Sequence, residues 1–80
     1  MSNKIKQDIP IGKNLKRLRE NVGLSQEQAA AKLELMGVSV SREIISQMEL
    51  GRYSIRVSVL LALKELYHVA SFDEFFRDIE

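Results

Sequence analysis

Between Ile11 and Val22 the apolar residues Ile11, Leu15, Leu18 and Val22 recur at intervals of four, three and four, the stripe that one face of an α-helix buries. Gly23 stops it. Ser25 with Gln28 three positions on forms a capping box ahead of Ala29, Ala30 and Leu33, which predicts a second helix directly after a tight corner. Its three successive alanines favour helix and let a neighbouring helix approach closely. Leu33 and Met36 share a face, carrying this helix to Leu35 or Met36 before Gly37 ends it. The connection is then "GVSV", with Val38 and Val40 directed to the core and either Ser39 or Ser41 able to cap the next helix.

A third helix is predicted over 41–50, where Ile45 and Met48 lie three apart and Gly51 supplies the stop. A fourth runs from Arg56 to Tyr67 with Val59, Leu60, Leu63 and Leu66 inward, closing near His68, which reads as a helix-end residue interacting with free carbonyls. Ser71 with Glu74 is another capping box, before Phe75 and Phe76, and marks a short fifth helix. No strand signal is present. Residues 1–10 read as a flexible arm, leaving 11–80 as one domain. The expected fold class is all-α: a compact domain of five helices with short connections.

Composition narrows the classes. Apolar residues make up 45% of the 80, too many for a disordered chain. There is no cysteine, which removes disulfide scaffolds and thiolate metal sites. The N-terminal lysines precede no apolar h-region, and "VSVLLAL" falls far short of the ~20 residues that span a bilayer, so a soluble, cytoplasmic protein without membrane partners is expected. One histidine, scattered carboxylates and single glycines at helix ends leave no constellation for catalysis, metal or cofactor, and no enzyme is expected. The net charge of +1 is uninformative, but its distribution is not. Lys4, Lys6, Lys13, Lys16, Arg17 and Arg19 oppose only Asp8 at the front, whereas Glu65, Asp73, Glu74, Asp78 and Glu80 oppose only Arg77 at the rear. Such a basic front suits a polyanion, with the acidic rear turned away; two ordinarily solvated helices would carry the same charges.

The outer side of the third helix holds the candidate chemistry. Arg42, Glu43, Ser46 and Gln47 point outward at helical spacing. Arg42 can offer two parallel donors to guanine O6 and N7, Gln47 can pair with adenine N6 and N7, and Glu43 can accept from cytosine N4. A carboxylate in the first turn of a helix is also favourable with no ligand at all. Ile44 can meet a thymine methyl or pack on the second helix.

Three stretches, "IGKNLKRLRENVGLSQEQAAAKL", "VSREIISQMELG" and "LLALKELYHV" followed by "SFDEFF", together resemble the lambda-repressor-like helix-turn-helix proteins, also called Cro-like or Xre-like. The resemblance covers residues 11–76. It implies a transcriptional regulator of double-stranded DNA, most simply a repressor, whose third helix enters the major groove while the second crosses the backbone. It further implies that Gln26, beside the capping Ser25, contacts a phosphate, and that Ser41, Arg42, Glu43, Ser46 and Gln47 approach bases or nearby phosphates. Arg52 would touch the backbone, and Arg19 with Glu49 would form a buried or half-buried ion pair. Lys13, Lys16 and Arg17 are the remaining phosphate candidates. Departures from the family pattern are the longer connection before the third helix, apolar Ile44, Leu50 and Tyr53 at positions often polar, and His68 in place of glycine.

Phe72, Phe75, Phe76 and Ile79 give the last segment more apolar surface than so small a chain easily buries. Either some of them close the core, or they form a homodimer seam or a docking site for another protein. A protein-interaction module on the same fold, without specific DNA binding, is the competing reading. With no separate ligand domain, no small-molecule ligand is expected.

Overall fold

A computed structural model describes residues 4–5, 11–52 and 54–78. The elements run β1 (Lys4–Ile5), α1 (Gly12–Asn21), α2 (Gln26–Leu35), α3 (Arg42–Glu49), β2 (Ile55–Arg56), α4 (Val57–Leu66) and a 3-10 helix (Phe72–Phe76). Two expectations are corrected here. The fifth helix is a short 3-10 turn, capped by Ser71, whose Oγ accepts from the Asp73 N–H at 3.2 Å; its five residues are too few for a stable α-helix. Lys4–Ile5, placed in a loose arm, instead pair antiparallel with Ile55–Arg56, in the register Lys4 to Arg56 and Ile5 to Ile55. The fold is therefore mostly helical rather than all-α.

The predicted stripes meet in one core. Leu15, Leu33, Ile45, Ile55, Leu63 and Phe75 are its largest fully buried side chains, each worth about 1.5–3 kcal/mol of burial. Val22 and Leu66 pack half-buried at its edge. Ala29 is completely buried where α2 meets its neighbours, as the alanine run anticipates. Met36 departs from its expected inward face: it is the C-cap of α2 and 38% exposed.

The ends of α2 and α4 share a motif. Gly37 has φ 84°, and the Val38 N–H reaches back to the Leu33 carbonyl at 2.9 Å, satisfying an orphan acceptor of the last turn. His68 makes the same turn at φ 55°, with the Val69 N–H on the Lys64 carbonyl at 2.9 Å. Its backbone N–H serves the Glu65 carbonyl at 3.2 Å, so the helix end is satisfied by main chain rather than by the imidazole.

Gly12 governs the approach of α1 to α3. A Cβ there would collide with the Glu49 carbonyl oxygen and lie 2.8 Å from that of Met48, so only glycine permits this contact. At its other side α1 meets the 3-10 helix: Asn14 Nδ2 donates to the carbonyls of Phe75 at 2.9 Å and Arg77 at 2.8 Å. The basic front and acidic rear are thus neighbours, not opposite poles.

Candidate nucleic-acid interface

α3 begins at Ser41, whose extended backbone and Oγ, accepting from the Ile44 N–H at 3.2 Å, identify it over Ser39 as the cap. Successive residues then turn by about 100°, which directs Ile45 and Met48 into the core and Arg42, Glu43 and Gln47 to solvent, with Ser46 half-buried among them. Among the described residues, the side chains of Arg42, Glu43, Ser46 and Gln47 take part in no hydrogen bond or ion pair. Their donors and acceptors are available to an outside partner.

The other end of α3 is clamped. Arg19 donates from Nε to Glu49 Oε2 at 2.7 Å and from Nη2 to Oε1 at 3.0 Å, a bidentate pair whose side chains are 8% and 5% exposed. Arg19 Nη1 also reaches the Leu24 carbonyl at 2.7 Å, and Gln26 Nε2 donates to Glu49 Oε1 at 3.0 Å. One carboxylate so ties α1, the α1–α2 corner and the start of α2 to the end of α3. The bond to Glu49 raises the Arg19 pKa against the opposing effect of burial, so deprotonation of the arginine removes this contribution only above the ordinary arginine range. Tyr67, buried nearby, has its phenol pushed upward, chiefly by burial and then by the Glu49 charge.

Two consecutive helices with locked inner sides, the second with a free outer side, lie inside the segment 10–74 that matches a family model described as a helix-turn-helix domain. The chain belongs to this helix-turn-helix family. The match agrees with the resemblance to Xre-like and Cro-like proteins seen in the sequence. No curated protein and no solved structure matches.

Within the helix-turn-helix domain, several candidate residues sit elsewhere than expected. Ile44 is half-buried against the core and, with Val38, Val40 and Val59, lines a cleft of about 350 Å³ under the lengthened connection. Ser25 Oγ accepts from the Gln28 N–H at 3.0 Å while Gln28 Oε1 accepts from the Ser25 N–H at 2.9 Å, completing the predicted box. Gln26 spends one amide hydrogen on Glu49, leaving the other uncommitted. Lys13, Lys16 and Arg52 are exposed.

Arg17 is turned toward the last segment. Its guanidinium bonds Asn14 Oδ1 at 3.3 Å and the Glu74 carbonyl at 3.4 Å, with the Glu74 carboxylate at 3.9 Å. Phe75 leaves the interface set, being 0% exposed. Phe72 and Phe76 stay outside, at 39% and 46%. The Phe72 ring centre is 6.0 Å from that of Phe75, and Lys64 Nζ stands 5.4 Å from the Phe72 centroid. Ile79 lies outside the described residues. Among the described residues no helix is long and apolar enough to cross a membrane, and no group of three or more His, Asp or Glu is placed to hold a metal ion.

Three features were not anticipated from the sequence: the Gln26–Glu49 bond, the Asn14 clasp and the exposure of Leu50. The last is the C-cap of α3 and 57% exposed on the same side as Gln47. Helical spacing from Gln47 was the available signal.

Proposed function

We propose that this helix-turn-helix domain is a sequence-specific transcriptional regulator that binds double-stranded DNA with α3 in the major groove and acts by occupancy, as a repressor. The observation that carries the reading is the outer side of α3, where Arg42, Ser46 and Gln47 project unpaired beside the capping Ser41. Arg42 suits guanine and Gln47 suits adenine, each good bidentate contact discriminating by about 1–3 kcal/mol. Glu43 either accepts from cytosine or simply favours the first turn of its helix. Lys13, Lys16, Arg52 and the second amide hydrogen of Gln26 supply phosphate contacts that set the register.

The domain acts as a homodimer, joined through Phe72 and Phe76. A twofold would place two reading helices one turn of duplex apart, about 34 Å, on one face of the DNA. Selection of bound duplexes from a random pool tests this: a recovered palindrome is expected, and Arg42→Ala or Gln47→Ala should weaken binding to it while leaving the weak affinity for random DNA unchanged. Equal losses on both would refute base reading by α3. The exposed Phe72 and Phe76 favour one competing reading, a protein-interaction module. It predicts no enriched sequence at all.

A further inference from the structure

An exposed leucine is ordinary on a soluble protein when it stands alone. Leu35, 88% exposed on the side of α2 away from the core, is of that kind. Leu50 differs in its surroundings. Its backbone is right-handed helical, φ −84° and ψ −2°, so its side chain continues the winding of α3. It lies three residues after Gln47 and four after Ser46, the spacings at which helical side chains touch. Long side chains on a helix lean toward its N-terminus, so Leu50 covers the turn that presents those two residues. A hydrogen-bonding surface therefore contains an apolar group that is 57% exposed.

Major-groove edges display hydrogen-bond donors and acceptors, and one apolar group, the C5-methyl of thymine. The same methyl appears on 5-methylcytosine. We propose that Leu50 is a specificity-determining residue that packs against the C5-methyl of a pyrimidine next to the base read by Gln47. This rests on the major-groove reading of α3 and adds to it: Arg42 and Gln47 select donors and acceptors, whereas Leu50 selects a methyl group that no hydrogen bond detects. Burying one such group corresponds to roughly a fourfold change in affinity at about 0.8 kcal/mol.

The test uses the full chain and the duplex recovered by selection. Each thymine is replaced singly by deoxyuridine, which deletes only the methyl, and in a second arm each cytosine is replaced by 5-methyldeoxycytidine. Binding is measured by fluorescence anisotropy for the wild type, Leu50→Ala and Leu50→Gln, with circular dichroism confirming that each variant is folded. If the methyl belongs to thymine, one uracil position per half-site weakens the wild type about fourfold and leaves both variants unaffected. If it belongs to methylated cytosine, one 5-methyl position strengthens the wild type alone by a similar factor. A selected duplex whose profiles are identical for wild type and variants overturns the role of Leu50 while base reading by α3 stands. Failure to select any duplex overturns both.

Discussion

Removing either member of the Arg19–Glu49 pair should cost this domain a large part of its stability, and removing both should cost less than the two single changes added together. The pair is bidentate, at 2.7 and 3.0 Å, and its side chains retain 8% and 5% of their exposure, so water cannot replace the lost partner without rearrangement. Breaking a buried pair from one side costs about 3–5 kcal/mol. At about 0.05–0.15 kcal/mol per residue, the whole 80-residue domain holds only about 4–12 kcal/mol. The two changes are not equivalent. After Glu49→Ala the long arginine keeps the Leu24 carbonyl at 2.7 Å and can extend its head toward solvent. After Arg19→Ala the shorter Glu49 keeps only the Gln26 amide at 3.0 Å. Arg19→Ala is therefore expected to be the more damaging. Urea unfolding followed by circular dichroism at low temperature, where the weakened variants remain folded, measures all four corners of the cycle. A coupling of about 2 kcal/mol or more is expected. Single losses below about 1 kcal/mol, or additivity within about 0.5 kcal/mol, would refute the view that α3 is held by this carboxylate.

Two other outcomes concern neighbouring groups. Lys13→Ala and Lys16→Ala should each lower the salt dependence of DNA binding by about one unit of slope, whereas Arg17→Ala, whose guanidinium is held beside Glu74, should change the slope less; the reverse pattern would relocate the phosphate contacts. Tyr67 titrates near 10.0 when unfolded and higher in the fold. Its stabilising contribution is complete below that pH and is lost as pH rises from there toward the folded value, by up to about 1.4 kcal/mol per pH unit. Urea stability measured at successive pH values above 10.0 should fall more steeply for the wild type than for Tyr67→Phe, and parallel curves would contradict the assignment.

The helices were legible because each announces itself twice, by apolar period and by a cap or stop. Ser25 with Gln28, Ser41, and the Gly37 turn all fell where local chemistry required. The segment after Ser71 was legible as a helix start, but five residues carry no information about pitch. The pairing of Lys4–Ile5 with Ile55–Arg56 was hidden for a related reason, since two residues have no alternation to detect. Among the aromatics, the period alone could not separate Phe75 from Phe72 and Phe76, because which of them faces inward depends on how the 3-10 turn docks on α1. The clasp of Asn14 on the Phe75 and Arg77 carbonyls sets that docking. An amide that bonds main chain some sixty positions away leaves no trace in the residues around it. The same holds for Gln26 on Glu49. The ion pair itself was read only by likeness to a family, and the free outer side of α3 followed from helical periodicity.

The glycine at the start of α1 bears on how this protein can diverge. Because backbone meets backbone at Gly12, no compensating change of side chain on α3 can relieve a substitution there. Together with Arg19 and Gln26 it fastens α3 by its tail, whereas the first turn, capped by Ser41, has no such clasp among the described residues, and Ile44 behind it borders a 350 Å³ hollow with the half-sunken Val38 and Val40. α3 is mounted like a pen gripped near its top, so on the proposed mode of binding adjustments to a new groove should accumulate at the free tip, around Arg42 and Glu43, while the grip stays fixed.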